Sequence, residues 1–239
     1  MRLENIRIVM VGTTHSGNIG AAARAMNNMC LRQLCLVAPE CKVDQAAYAR
    51  ASGANGILDE IQKFEDLETA IADCQYVAAT SARRRSLSWP ELDPHGLANR
   101  LFEMPDDGQA AIVFGREHSG LTNEEIQMCH TMLRIPTNPD FSSLNVASAV
   151  QVVSYEIYRQ WGSDKDTVPV EHEPLANSAE LEGYFEHLQR VLVDTGFLNP
   201  EQPGQIMQRL RRLYLRGETS QNEINILRGI LSAVEKRNR

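Results

Sequence analysis

The sequence predicts an α/β domain built on a parallel sheet, followed by a small all-helical module. From residue 3 to about 160, short apolar runs alternate with helix-period stretches, the pattern of a parallel sheet covered on both faces. Residues 162–178 (GSDKDTVPVEHEPLANS) then hold four acids, one lysine and two prolines with almost no periodic apolar residues, the composition of an exposed linker. Beyond them only helical periodicity remains. The expected organisation is a domain over 1–161, a linker over 162–178 and a helical module over 179–239.

The first strand is read from Ile6, Ile8 and Met10 alternating with Arg7, Val9 and Val11, and it is broken by Gly12-Thr13-Thr14. A helix follows, with Ile19, Ala22, Ala23, Met26, Met29 and Cys30 on one stripe. Further strand-like runs are Leu34–Val37, Tyr76–Thr80, Ala110–Phe114 and Met132–Ile135, with helical stretches between them. The last helix of the domain spans Ser143–Trp161, with Ser142 or Ser143 as its cap. In the module one helix runs from about Glu180 to Asp194, capped by Ser178 and stopped by Gly196. A second covers about Pro203 to Arg216, with Ile206, Leu210 and Leu213 on one face and Arg209, Arg212 and Arg216 on another. The third covers about Gln221 to Lys236, and Ser220 with Glu223 fits a capping box.

Composition narrows the function class. With 239 residues, 43% hydrophobic and 23% charged, the chain is neither disordered nor fibrous and can bury a sizeable core. No apolar run approaches the roughly 18–20 residues that cross a bilayer, and acidic Glu4 ahead of an immediate strand argues against a signal peptide. The 5 cysteines include no CxxC pair, which fits reduced thiols in the cytoplasm, and the histidines show no zinc-ligand spacing against them. At a net charge of −7, contact with nucleic acid must come from local basic patches.

In an open parallel sheet, ligands bind at the carboxyl ends of strands. Three such loops here are polar or glycine-rich: Thr13–Gly20, leading into a helix that carries Arg24; Thr80-Ser81-Ala82-Arg83-Arg84-Arg85; and Gly115-Arg116-Glu117-His118-Ser119-Gly120. Small residues and free N–H groups at a helix start admit a phosphate, although an ordinary tight turn explains the first loop as well. It is neither a P-loop nor a GxGxxG fingerprint. The Arg83–Arg85 run is a solvated surface or a rim for a polyanion, and Arg116-Glu117 is a surface ion pair or part of a site. The stretch Ile135-Pro136 to Gln151 holds two prolines, two serines and Asn145 ahead of an apolar helix, more than capping alone requires.

Together these stretches resemble the motifs of the SPOUT methyltransferases, specifically the SpoU-like RNA 2′-O-methyltransferases. Asn18-x-Gly20-x-x-x-Arg24 looks like the first motif, Val113–Leu121 the second, and Ile135-Pro136 through Ser143-Leu144-Asn145-Val146-Ala147 the third. Thr80–Arg83, Leu121–Glu125, Asn138–Asn145 and Leu227–Leu231 are similar to the bacterial tRNA methyltransferases that modify the cytidine or uridine ribose at nucleotide 32 of the anticodon loop. Cys30 departs from the glycine that tends to end the first helix in relatives.

The resemblance implies a SPOUT fold with a C-terminal trefoil knot and a homodimer with its active sites at the subunit interface. It also implies tRNA as partner, with no part for DNA or a membrane. S-adenosylmethionine would be held by Thr80, Ser81, Ala82, Gly115, Ile135, Ser142, Ser143 and Leu144. Methyl transfer from a sulfonium needs no metal; it needs a ribose 2′-oxygen placed about 3 Å from the methyl and relieved of its proton. Arg24 takes the central position, and because a guanidinium is a poor base, its expected part is to orient the oxygen and stabilise developing charge. Ser143 is expected to bond cofactor or ribose, Asn18, Glu117 and Asn145 to support the loops, and Arg85, Arg116, Arg209, Arg212 and Arg216 to contact RNA. The alternatives are a ribose methyltransferase acting elsewhere on tRNA or on rRNA, and a non-catalytic RNA-binding protein on the same scaffold.

Overall fold

The computed structural model describes residues 1–82, 89–163, 173–199, 201 and 205–237. Seven strands form one sheet among them: β1 (Ile6–Val11), β2 (Gln33–Val37), β3 (Gln62–Phe64), β4 (Tyr76–Thr80), β5 (Glu91–Leu92), β6 (Ala110–Phe114) and β7 (Thr131–Leu133). They lie in the order β3-β2-β1-β6-β4-β7-β5, every pair parallel. β3 and β5 do not show in the sequence pattern: they are three- and two-residue edge strands with exposed or half-buried side chains, so no apolar periodicity marks them.

The side-chain alternation of a strand divides the core in two. Ile6, Ile8 and Met10 of β1 join Ile112 and Phe114 beneath α1 (Ser16–Asn28), α2 (Gln45–Ala51), α3 (Asn55–Asp59), α5 (Pro94–Phe102) and α7 (Val146–Ser163). Val9 and Val11 join Val77, Ala79 and Val113 on the other face, beneath α4 (Leu67–Ile71) and α6 (Asn123–Gln127). The sheet is an α/β layer apolar on both sides, and its central strands therefore read as near-continuous apolar runs. Arg7 is the buried charge in β1; it donates to Asp73 at 2.8 and 2.9 Å and to the Ala70 carbonyl at 2.6 Å, fixing the end of α4 to the sheet.

Helix caps depart from the sequence reading. Asn145, not Ser142 or Ser143, caps α7, its Oδ1 accepting from the N–H groups of Ala147 (2.9 Å) and Ser148 (3.4 Å). Only the residue directly before the first turn reaches those donors; the serines stand three and two residues upstream, in the loop. α1 stops at Asn28, and Cys30 adopts φ 58°, the left-handed region where a Cβ costs about 1–2 kcal/mol. Cys30→Gly should therefore stabilise the protein by about 1 kcal/mol, seen as a rise of about 2–4 °C in Tm.

The C-terminal module comprises α8 (Ser178–Asp194), α9 (Ile206–Arg216) and α10 (Gln221–Arg237) around Leu181, Tyr184, Phe185, Leu188, Leu215 and Leu231. The Ser220–Glu223 capping box of α10 forms as expected. α8 is capped by Asn177, paired with Glu180, in place of Ser178; Ser178 instead donates its N–H and hydroxyl to the Cys74 carbonyl at 2.9 and 3.1 Å. Residues 164–172 lie outside the described residues, but the end of the expected linker is built into the fold. Ala176 is buried, and Leu175 bridges to Ser220. Arg100 of α5 pairs with Glu218 across the same junction. α9 is also turned from its expected orientation: Leu213 is 50% exposed while Leu215 is buried. The guanidinium of Arg211 lies 4.6 Å from the centre of the Phe185 ring and forks onto Glu182 at 2.5 and 2.6 Å. That contact brings the Arg211–Leu215 side of the helix to the core.

Candidate active site

β6, β4 and β7 are neighbours in the sheet, so their carboxyl ends open side by side into one cleft of about 620 Å³, inside the roughly 300–1,000 Å³ of small-molecule sites. Thr80, Ser81, Ala82, Gly115, Ile135, Ser142, Ser143 and Leu144 all line it. These are the eight residues expected to hold a cofactor. Phe114, Leu121, Leu133 and Val146 supply apolar wall, while His118, Ser119, Thr137, Asp140 and Phe141 complete the rim. The five rim residues were not among the expected site residues. Phe141 lies within the third motif, and its 78% exposure could not be foreseen from an apolar residue type.

Each wall has a local cause. Thr80 donates its hydroxyl to the Val113 carbonyl at 2.9 Å, and the Ser81 N–H donates to the Leu133 carbonyl at 3.1 Å, tying the three strand ends. The loop after β6 folds back on itself through reciprocal backbone bonds between Arg116 and Gly120 at 3.2 and 2.9 Å. A Cβ on Gly115 would stand 2.3 Å from the Gly120 carbonyl carbon, so the fold-back demands glycine there. Thr137 accepts no such burden but donates to the Ser142 carbonyl at 3.3 Å, bracing the loop before α7.

Glu117 is the junction of three segments. Its carboxylate accepts from the Asn18 amide at 2.9 Å, the Thr14 N–H at 3.3 Å and the Thr14 hydroxyl at 3.1 Å. Burial alone would raise this carboxyl, but the bonds from Asn18 and Thr14 prevail and hold it below the usual carboxylate range. The Asn18 Oδ1 accepts from the Asn145 amide at 3.0 Å. The three sequence motifs thus meet in one chain of hydrogen bonds, and the polar turn at Thr13–Gly20 spends its Thr14 N–H on Glu117. Thr14 was missed as a site residue; only its place in that turn signalled it.

Of the other expected residues, Arg116 lines the cleft but is committed elsewhere, and the rest sit apart or lie outside the described residues. Arg116 forks onto Glu125 at 3.1 and 3.0 Å, which raises its pKa, and lies across Gly12, where a Cβ would stand 2.7 Å from its Cγ. The ion pair considered for Arg116-Glu117 is made with Glu125 instead, because Glu117 faces Asn18 and Thr14. Arg24 is exposed on α1, does not line the cleft, and makes no hydrogen bond or ion pair with any described residue. Arg85 lies outside the described residues. Arg209 and Arg216 are exposed on α9 and Arg212 is half-buried, all on the module and away from the cleft.

Comparison with known proteins places both parts of the chain. The model of the SpoU rRNA methylase family matches residues 5–155, and that of the C-terminal domain of the tRNA methyltransferase TrmJ matches residues 179–239. The chain is 49% identical over 244 residues to the tRNA (cytidine/uridine/adenosine-2′-O-)-methyltransferase TrmJ of Pseudomonas aeruginosa, covering 98% of this chain and 95% of the relative. It is 48% identical to the tRNA (cytidine/uridine-2′-O-)-methyltransferase TrmJ of Photorhabdus laumondii, covering 98% of each. The crystal structure of TrmJ from Z. mobilis superposes with a TM-score of 0.83 at 36% identity, over 96% of this chain and 98% of that one.

Proposed function

The chain belongs to the SpoU methylase family and to its TrmJ branch, and on that premise we propose that it is an S-adenosylmethionine-dependent tRNA methyltransferase acting on the ribose 2′-hydroxyl of cytidine or uridine at nucleotide 32. The observation that carries this reading is the convergence of the eight expected donor-binding residues on one cleft at three adjacent strand ends. The cleft suits the donor: apolar side chains of Phe114, Leu133, Ile135 and Leu144 face an adenine, and the hydroxyls of Ser81, Ser142 and Ser143 and the loop backbone serve its polar ends. When bound, S-adenosylmethionine supplies an electrophilic sulfonium methyl.

The protein's own residues do the positioning. Thr80–Ala82, Gly115, Ile135 and Ser142–Leu144 fix the donor, with Ser143 also in reach of the ribose. Glu117, Asn18 and Asn145 lock the turn before α1 to the loops around the cleft. Arg24, uncommitted to any described residue, orients the ribose oxygen and stabilises charge as the oxygen passes its proton to an adjacent phosphate of the RNA. Because Arg24 stands outside its own chain's cleft, we assign it to a site completed across a homodimer. The exposed Val152, Tyr155, Tyr158 and Trp161 on α7, which packs against α1, supply an apolar face for that contact. The trefoil knot is assigned to the passage through β7 and 134–145 into α7. Among the described residues no helix is long and apolar enough to cross a membrane, and the reading places the protein with tRNA in the cytoplasm.

The module supplies RNA contact through Arg209, Arg212 and Arg216. Changing all three to Gln should weaken tRNA binding and flatten its log affinity against log salt slope by up to about three, with S-adenosylmethionine binding unchanged. The reading itself is tested by incubating purified protein with unfractionated tRNA and labelled donor, then mapping the product by mass spectrometry. A methylated ribose at nucleotide 32 supports it; a methyl on a base, at another position, or none overturns it. The same map shows whether adenosine, named for the P. aeruginosa relative, is accepted.

A further inference from the structure

The module has a second concave polar feature on the seam between α8 and α10, away from the Arg209–Arg216 face. Gly183, Glu186, His187 and Arg190 stand at i, i+3, i+4 and i+7 on α8, and Arg228, Ser232 and Glu235 at i, i+4 and i+7 on α10, so each set shares one stripe. Together they line a pocket of about 350 Å³. It exists because the facing residues Gly183 and Ser232 are small. The Arg228 guanidinium reaches over the glycine, its Nη1 lying 3.9 Å from where a Cβ would be.

The donors and acceptors of this pocket are unevenly used. Glu235 is neutralised by Arg190, which donates to it at 3.1 Å. His187 is only 8% exposed, yet its Nε2 has no hydrogen-bond partner among the described residues; Glu235 lies 3.3 Å away, out of hydrogen-bond alignment. Leaving a buried polar group unpaired is costly, and this one lines the pocket. The side chains of Arg228 and the exposed Glu186 make no hydrogen bond or ion pair with described residues. One guanidinium and one carboxylate therefore have no side-chain partner among the described residues around a single cavity, and one imidazole nitrogen there has only the poorly aligned Glu235 carboxylate beside it. The carboxylate disfavours a bare phosphate dianion, whereas a singly charged phosphodiester with a neighbouring hydroxyl satisfies all three groups.

We propose that the α8–α10 pocket grips one ribose-phosphate unit of the RNA substrate, its phosphodiester oxygens accepting from Arg228 and His187 and a ribose 2′-hydroxyl donating to Glu186. The proposal rests on the tRNA reading above and adds a site to it. The 2′-hydroxyl contact would let the module distinguish RNA from DNA.

The test measures binding of unfractionated tRNA, and of a DNA strand of equal length, to the full-length protein over a range of salt. Arg228→Gln should weaken tRNA binding about tenfold and flatten the salt slope by about one, with Arg228→Lys restoring most of the affinity and S-adenosylmethionine binding unchanged. Glu186→Ala should lower affinity for tRNA but not for the DNA strand. Arg228 and Glu186 are exposed, so both variants keep the fold where His187→Gln risks it. Wild-type affinity and slope in Arg228→Gln, or equal effects on RNA and DNA in Glu186→Ala, overturn the pocket while leaving the tRNA reading intact. A wild-type protein that binds tRNA no better than DNA overturns both.

Discussion

Arg24→Ala should lower methyl transfer to tRNA by about 10³-fold, the scale of losing one well-placed electrostatic stabiliser, while S-adenosylmethionine affinity stays within about twofold of wild type. Arg24 is exposed, lines no part of its own cleft and bonds to no described residue. Its removal therefore disturbs neither donor site nor fold, and the loss should appear in kcat rather than KM, as expected for an interaction made at the transition state. Isothermal titration with the donor and steady-state kinetics on tRNA read the two quantities separately. A large drop in donor affinity would make Arg24 a ligand-holding residue and refute its assignment. Arg24→Lys should recover little, because an ammonium lacks the planar fork of donors.

Glu117→Gln should cost about 1.5–3 kcal/mol of stability, the scale of hydrogen bonds to a charged group, and about a tenfold loss of transfer. The carboxylate has two oxygens for three donors from Asn18 and Thr14; a glutamine offers one oxygen and turns an NH₂ toward a donor. The Asn18 amide then loses its fixed orientation, and with it the link to Asn145 and the start of α7. The pH dependence has a definite sign. The folded-state pKa of Glu117 is lowered, so its stabilisation is fully present above the unfolded value of about 4.3 and is lost as pH falls through the folded value. Thermal melts should show a constant gap between wild type and Glu117→Gln from neutral pH down to about 4.3, and a shrinking gap below it. A gap that closed between pH 7 and 6, on the order of two units higher, would place the dominant titration elsewhere.

The central sheet was legible in the sequence because β1, β2, β4 and β6 are buried on both faces and therefore read as apolar runs. The loops at their ends were legible as sites because small and polar residues follow such runs for few purely structural reasons. What the sequence hid is set by contacts distant in the chain. Asn145 outcompetes Ser142 and Ser143 for the α7 cap through its position against the first turn, and its amide is also claimed by Asn18, 127 positions away. Arg211, one arginine among several, decides the rotation of α9 by stacking on Phe185 and pairing with Glu182, which exposes Leu213 in spite of the periodicity. Ser178 looked like a cap and instead fastens the module to Cys74. The partnership of Arg116 with Glu125 rather than Glu117 follows from the fold-back at Gly115 and Gly120, a feature of backbone geometry that residue types alone do not convey.

A crystal structure of the protein with S-adenosylmethionine tests the central claim most directly. The account predicts the donor in the cleft against Thr80–Ala82, Gly115, Ile135 and Ser142–Leu144, its methyl open toward the guanidinium of Arg24 of the partner subunit. A donor bound elsewhere, or bound in the cleft with Arg24 remote from the methyl in every subunit, would contradict it.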